Sequence, residues 1–566
     1  MARVVSIGAQ NFEDLITRNN FYIDKTPFIK EWWESVDQVT LITRPRRFGK
    51  TLNMNMLERF FSVQYEGKGE IFQGLDIWQE KKYRSLQGTY PVIFFSFADV
   101  KADNYLDAKE QIFQIITNLY SKYEFLRDCG KLGEKDRAYF DRIGNEMSNS
   151  DASKALHQLS DYLCRYYGQK VIILLDEYDT PLQEAYVSGY WNELVSFIRN
   201  LFNSTFKTNP YLERAVMTGI TRISKESLFS DLNNLKVITV TSNKYESSFG
   251  FTEKEVYAAM DEFELTNKEE VKRWYDGFTI GSLRDIYNPW SIINFLDEGV
   301  LKPYWANTSS NSLAGSLIQK GSKEIKMQFE DLLSGKTILS RINEEVVFNQ
   351  LDRGERAVWS LLVAAGYLKI IGVHGKEYEL SLTNYEVKQT FEDMVLDWFD
   401  EQDSCYNDFV RSLLQGDIEE MNECMSQFAQ SMFSSFDGGH HSSDVTHPER
   451  FYHGFVLGLL VDLADRYKVT SNRESGFGRY DVMLEPLNKG NGGIINNSKK
   501  DDAIIMEFKV YNPRKESNLE ETVQAALRQI EEKRYEQTLL DSGVEKERIR
   551  KYGFGFEGKR VLIGGQ

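Results

Sequence analysis

Between residues 38 and 61 an apolar run enters a short turn ending Gly49-Lys50-Thr51 and leaves it as a helical pattern, an order that few folds accept. Residues 38–43 (Gln-Val-Thr-Leu-Ile-Thr) read as a short buried strand, and residues 51 to about 61 as a helix. The residue types match a phosphate-binding P-loop. A glycine lets backbone N–H groups approach phosphate closely. The lysine reaches the β- and γ-phosphates, the threonine hydroxyl binds Mg²⁺, and the helix N-terminus adds partial positive charge. Arg44 stands where such a loop has its first glycine, and Pro45 fixes φ beside it. Arg44, Arg46 and Arg47 are expected to add positive charge where a triphosphate would sit.

A second element is needed to complete such a site. Residues 171–175 (Val-Ile-Ile-Leu-Leu) are continuously apolar and end in Asp176-Glu177. That is a Walker B pattern, in which Asp176 holds Mg²⁺ and Glu177 orients or deprotonates the attacking water. Asp179 is placed to support either. Thr218, at the end of the next apolar strand, is a candidate sensor of the γ-phosphate. Arg222, just beyond it, is a candidate arginine finger. A capping hydroxyl and a surface arginine explain those two positions equally well.

The pattern around these motifs sets the fold. Further strands read at 91–97, 214–218 and 236–240, with long helical patterns at 103–125 and 152–167. Strands alternating with helices imply βαβ units around a parallel sheet. After about residue 250 the texture changes to helices and short turns. Residues 355–400 then show a helix, two short strands around His374-Gly375 and another helix, an order compatible with a winged-helix-like module. Residues 433–447 read as an exposed loop and 488–502 as a polar hairpin tip. Residues 449–566 read as helix, strand, hairpin, strand, helix and a final strand.

The C-terminal segment carries a separate constellation. Asp481 opens an apolar strand, and Ile504-Ile-Met506 leads into Glu507-Phe508-Lys509. Positions two apart on a strand share a face, so Glu507 and Lys509 point the same way, and a hairpin can bring Asp481 beside them. Two carboxylates suit Mg²⁺, a hard cation. The metal would acidify a bound water, and Lys509 would position that water or neutralise developing charge. Spacing alone is weak, because a solvated strand face also gives this pattern. His440, His441, His447 and His453 cluster nearby, but no second spaced ligand set accompanies them, and loop histidines near a helix start are the better reading.

Composition closes off some classes. The chain has 566 residues and a net charge of −17, which argues against a broadly basic surface that coats nucleic acid but leaves a local basic groove open. Four cysteines, none at C-x-x-C spacing, indicate neither a zinc knuckle nor a disulfide framework. The N-terminus lacks a signal-peptide core, and no run of about 18 apolar residues exists, so a cytoplasmic protein without a membrane span is expected.

The motifs together resemble known families. Tyr22-Ile-Asp-Lys-Thr26, Arg44-Pro-Arg-Arg-Phe-Gly-Lys-Thr51, Leu175-Asp-Glu-Tyr-Asp-Thr-Pro181, Thr218-Gly-Ile220 and Phe229-Ser-Asp-Leu-Asn-Asn234 are similar to the AAA-ATPase-like family of bacterial P-loop proteins. The match continues through Trp274-Tyr-Asp-Gly-Phe278 and Tyr287-Asn-Pro-Trp290. In that family arginine replaces the first glycine, so Arg44 is a family feature. The resemblance implies ATP as the nucleotide. Residues from about 400 onward resemble the PD-(D/E)XK nuclease superfamily, with Asp481, Glu507 and Lys509 on the core motif and Glu449, Gln529 and Tyr535 on supporting positions. Tyr480 replaces the motif's proline.

The expected architecture is α/β throughout. A P-loop parallel-sheet domain spans 1–250, a helical lid and winged-helix-like region 251–400, and a PD-(D/E)XK nuclease-like domain 401–566. The expected activity is an ATP-controlled, Mg²⁺-dependent nuclease acting on DNA or RNA, with a role in defence against foreign nucleic acid as an extension. A nucleotide-gated regulatory protein whose C-terminal domain binds without cutting is the alternative. An Arg222 finger supplied in trans would require a homo-oligomer.

Overall fold

The computed structural model describes residues 2–222, 228–229, 232–305, 312–319, 321–343, 355–400, 403–436, 456, 458–459, 461–475, 478–487, 501–557 and 560–566. The chain forms two compact units, Met1–Ala314 with Thr337–Lys388, and Gly315–Lys336 with Gln389–Gln566.

The first unit is built on five parallel strands: β1 (Val39–Thr43), β2 (Val92–Ser96), β3 (Val171–Asp176), β4 (Leu212–Gly219) and β5 (Leu235–Ile238). Parallel neighbours need crossover connections. Helices α1 (Lys50–Phe61), α2 (Tyr105–Lys122), α3 (Asn149–Tyr167) and α4 (Trp191–Phe202) supply them. Every residue of β1 and β3 is buried, as expected of strands covered on both faces. On one face Met54, Leu57 and Phe60 of α1 share a core with Ile42, Ile172, Leu174 and Val216.

Strand order matters more than strand count here. The sheet runs β2-β3-β4-β1-β5, so β4 lies between the strand that feeds the Gly49 turn and the strand that ends in Asp176. Ile42 sits opposite Thr218, and Leu175 opposite Met217. The end of β4 is thereby held between the two motifs.

Beyond residue 250 the first unit contains more sheet than expected. Strands β6 (Phe251–Thr252), β7 (Phe278–Ile280) and β8 (Leu283–Tyr287) pair in the order β6-β8-β7, and helix α5 (Pro289–Glu298) follows. Strands this short show no readable alternation. Their stability comes from Phe278, Ile280 and Ile286 packing on Phe48 of the turn after β1, a contact between segments some 230 residues apart by subtraction. The expected helix–hairpin–helix is present. Strand β9 (Ile338–Ser340) precedes helix α6 (Glu355–Ala365), strands β10 (Leu368–His374) and β11 (Glu377–Leu382), and helix α7 (Tyr385–Asp400). β9 adds a third strand alongside β11.

In the second unit, helix α8 (Ile418–Phe436) extends into the segment read as a loop at 433–447, and 437–447 lie outside the described residues. So do 488–500, the expected hairpin tip. Its sheet runs β12 (Tyr467–Ser475), β13 (Gly478–Pro486), β14 (Ala503–Val510), β15 (Ile549–Glu557) and β16 (Arg560–Gly565), in that order. Only β14 and β15 are parallel, and helix α9 (Leu519–Lys533) lies between them in sequence. The single final strand expected here is instead a hairpin, β15 with β16. Only Gly558 and Lys559 separate the two strands in sequence.

Leu174 is fully buried in the centre of the first sheet. Leu174→Ala should cost about 2–5 kcal/mol of stability, measured by urea unfolding of the full chain.

Candidate nucleotide and carboxylate sites

The Gly49 turn is shaped by three anchors. Gly49 has φ +78°, a left-handed conformation that costs glycine nothing. Phe48 is buried against β7 and β8, with its ring 4.8 Å from that of Phe278. Arg44 is the third anchor, and it corrects an expectation. Its guanidinium does not line the cavity that Arg46, Arg47, Lys50 and Thr51 line. It is wholly buried, and its nitrogens donate to the carbonyls of Thr43 (2.9 Å), Thr239 (2.9 Å), Lys244 (3.3 Å) and Tyr245 (3.3 Å). Burial presses its pKa down from the usual arginine value, with Glu31 and Glu246 opposing the shift. Arg44 fastens the start of the turn to the segment after β5. Arginine suits this position because its rigid fork satisfies several carbonyls at once.

The remaining motif residues converge. Thr51 Oγ1 donates to Asp176 Oδ2 at 2.6 Å, and Thr218 Oγ1 donates to Asp176 Oδ1. Lys50 Nζ lies 3.4 Å from Glu177 Oε1 and donates to the carbonyls of Arg44 and Pro45. Asp176 is almost fully buried, which raises its pKa; Glu177 raises it further, while bonds from Thr218 and Thr51 and the charge of Lys50 oppose the rise. Thr218 therefore acts here on Asp176, fixing the carboxylate's orientation. Asp179 supports neither carboxylate directly. It is buried and accepts from Ile220 N, Thr221 N and Thr221 Oγ1, tying the turn after β3 to the end of β4. Glu177 (φ +52°) and Arg47 (φ +65°) both adopt left-handed backbone conformations that cost non-glycine residues about 1–2 kcal/mol each. Such strain concentrates at functional sites.

These residues open onto a cavity of about 410 Å³. Arg46, Arg47, Gly49, Lys50, Thr51 and Glu177 line its polar end. The other end is apolar, walled by Phe21, Tyr22, Ile23, Phe251, Trp290 and Ile293. The N-terminal segment at Ser6–Gln10 also contributes. Arg222 lies past the end of β4 and does not line the cavity. Tyr22 and Trp290 belong to motifs noted in the sequence, but nothing local in those motifs marks them as cavity walls. Asn288 caps α5 and Pro289 occupies its first turn, which identifies a helix start and not what the helix faces.

The carboxylate–lysine constellation also converges. The β13–β14 ladder runs from Leu484 opposite Ile504 to Val482 opposite Met506. Next to its Val482 end, Asp481 Oδ2 accepts the N–H of Phe508 at 2.8 Å. Glu507 is buried, and its Oε2 has no hydrogen-bond partner among the described residues. The Gln529 side chain, on α9, links the group: its Nε2 donates to Glu507 Oε1 and to Tyr535 Oη (3.0 Å), and its Oε1 accepts from Lys509 Nζ at 2.7 Å. Burial and the Asp481 charge push the Glu507 pKa up to about 9, with Lys509 opposing. An orphaned buried carboxylate oxygen beside a second carboxylate fits a divalent cation, with Asp481 and Glu507 as ligands. Among the described residues no cluster of three or more acidic, histidine or cysteine side chains forms a metal site. Glu449 and His440, His441, His447 and His453 lie outside the described residues.

The fold and sites define a P-loop-type α/β unit joined to a nuclease-superfamily-type α/β unit. Sequence comparison agrees with that layout. Residues 6–229 match the family model described as "Predicted AAA-ATPase", and residues 447–565 match the PD-(D/E)XK nuclease superfamily. An uncharacterised protein from the vnfD 5′ region of Azotobacter chroococcum mcd 1 is 26% identical over 398 residues, 69% of each chain. A solved STAND (Signal Transduction ATPase with Numerous Domains) protein with a tetratricopeptide repeat sensor, from Pyrococcus horikoshii, overlaps 79% of this chain at 11% identity. Its TM-score is 0.23, and this chain covers only 56% of that protein, so the overlap carries no argument. No described helix is long and apolar enough to cross a membrane.

Two outcomes follow from the geometry. Arg44→Ala leaves several carbonyls without donors and should lower stability by about 2–4 kcal/mol, with Arg44→Lys recovering only part of the loss; denaturant unfolding measures both. Wild-type stability together with lost ATP affinity would mark Arg44 as a phosphate ligand instead. The second outcome concerns Glu507. Between pH 4.5 and about 9 the folded chain keeps the Glu507 proton that the unfolded chain has shed, so this group makes folding less favourable as pH rises. A cation binding there at pH 7 must displace that proton. Mn²⁺ titration calorimetry in buffers of different ionisation enthalpy should show the release, and Glu507→Gln should remove it.

Proposed function

We propose that the first unit binds and hydrolyses ATP with Mg²⁺, and that its nucleotide state controls a Mg²⁺-dependent phosphodiesterase in the second unit, acting on DNA or RNA. In the first unit Lys50 holds the β- and γ-phosphates, Thr51 and Asp176 hold the metal, Glu177 orients the attacking water, and Arg46 and Arg47 supply further positive charge. Thr218 keeps Asp176 in position, and Arg222 serves as a finger only if a second copy of the chain completes the site. In the second unit Asp481 and Glu507 hold the metal, which when bound would acidify water and stabilise charge on a phosphate. Lys509 neutralises developing negative charge, and Gln529 and Tyr535 hold Glu507 and Lys509 in place. Defence against foreign nucleic acid is the role that the pairing of modules fits best.

The observation that carries the nuclease reading is the orphaned Glu507 Oε2 beside Asp481, with Lys509 held by Gln529. A buried carboxylate oxygen without a partner is costly and persists where a ligand or reaction uses it. The test is cleavage of plasmid DNA and of a structured RNA by the full chain, with Mg²⁺, with and without ATP. Cutting should fall by about 10²-fold or more in Asp481→Ala and in Lys509→Ala. Cutting that survives both changes would overturn the site, and nucleic acid bound but left intact by the wild type would favour a non-cleaving module. Lys50→Ala should lower ATP hydrolysis by about 10²-fold or more, and hydrolysis at the wild-type rate would remove the first site.

A further inference from the structure

Arg47 is held in an unusual way for a residue of a phosphate loop. Its guanidinium carbon lies 4.4 Å from the centre of the Trp290 ring. It makes no hydrogen bond or ion pair among the described residues, although it lines the same cavity as Lys50, Thr51 and Glu177. The ring that holds it belongs to an element with fixed ties at both sides. Asn288 Nδ2 donates to the carbonyl of Arg46 at 3.2 Å, and Asn288 Oδ1 accepts the Trp290 N–H at 2.9 Å. Ser291 Oγ donates to Glu386 Oε2 at 2.8 Å, and Glu386 Oε1 accepts the N–H of Trp305 at 2.6 Å. Glu386 is fully buried in the first turn of α7.

We propose that Trp290 is a positioning residue for Arg47: its indole stores the guanidinium while the phosphate site is empty, and polyphosphate draws the guanidinium off the ring. The inference rests on the reading of this cavity as a nucleotide site. A guanidinium on an indole gains a cation–π attraction without spending any of its five N–H donors on the ring. Charge-assisted, bidentate bonds to a phosphate use those donors and are the stronger interaction. The strained φ of Arg47 limits where its side chain can be held otherwise. With the ring vacated, Asn288 still ties the start of α5 to the loop, and the indole keeps its own bond from Nε1 to the carbonyl of Tyr304 at 3.2 Å. The Ser291–Glu386 bond carries any shift of α5 to the start of α7. Displacement of Arg47 from the ring is thus driven by phosphate and not by the base.

The test uses the full chain and the part of its tryptophan emission that is lost in Trp290→Phe, because eight other tryptophans also emit (nine in all, less Trp290). Trp290→Tyr gives the same subtraction if the phenylalanine variant fails to fold. Calorimetry first establishes whether MgATP binds. Inorganic tripolyphosphate with Mg²⁺ should then change the Trp290 emission by at least half as much as MgATP and in the same sense. Adenosine should leave it unchanged, and Arg47→Ala should lose the response to both phosphates. A response to adenosine but not to tripolyphosphate, or one that persists in Arg47→Ala, would overturn the proposal with the nucleotide site intact. Absence of MgATP binding to the wild type would instead remove the nucleotide reading and this inference with it.

Discussion

A guanidinium sealed inside the first unit holds the loop on which the rest of the site is assembled. Arg44 donates to carbonyls at Thr43, Thr239, Lys244 and Tyr245, and so joins the end of β1 to the segment after β5. Among the described residues no carboxylate is bonded to it. Taking that charge out of water is expensive, and the backbone carbonyls that receive it offset the cost. With the turn's opening fixed this way, its other side chains divide. Phe48 goes into the small sheet, Lys50 and Thr51 turn to Glu177 and Asp176, and Arg46 and Arg47 reach the cavity.

The two sites handle buried carboxylates differently. Asp176 is buried and fully supplied, with Thr51 on one oxygen and Thr218 on the other. Glu507 is buried with one oxygen supplied by Gln529 and the other left bare. The first arrangement is preorganised, with bonds from Thr218 and Thr51 opposing the rise in pKa that burial and Glu177 impose. In the second, burial and the Asp481 charge push the Glu507 pKa up. Each follows from position: Asp176 ends a strand flanked by β4, whereas Glu507 lies beside the Asp481 charge.

Much of this is legible in the sequence where the signal is local. The apolar runs at 38–43 and 171–175 locate β1 and β3 to within a residue or so, because strands buried on both faces read as continuous apolar segments. Glu507 and Lys509 share a face by strand periodicity alone. What fails is whatever depends on distant chain. Thr218 is readable as a polar strand end, but its bond to Asp176 depends on β4 lying between β1 and β3, which no local pattern records. Arg44 beside a phosphate loop reads as phosphate charge, and its inward turn is set by carbonyls some 195–201 positions away. Trp290 sits in a noted motif, yet its contact with Arg47 comes from tertiary packing. The strands β6, β7 and β8 were too short to display a period.

The proposed function requires two separate oxygen-lined cation sites on one chain, one completed by a nucleotide and one by carboxylates alone. Anomalous diffraction from crystals grown with Mn²⁺ and a non-hydrolysable ATP analogue tests it most directly. The account predicts Mn²⁺ peaks beside Thr51 and Asp176 and between Asp481 and Glu507, with the second persisting when the nucleotide is left out. Crystals with nucleotide in the cavity but no Mn²⁺ at Asp481 and Glu507 would contradict it.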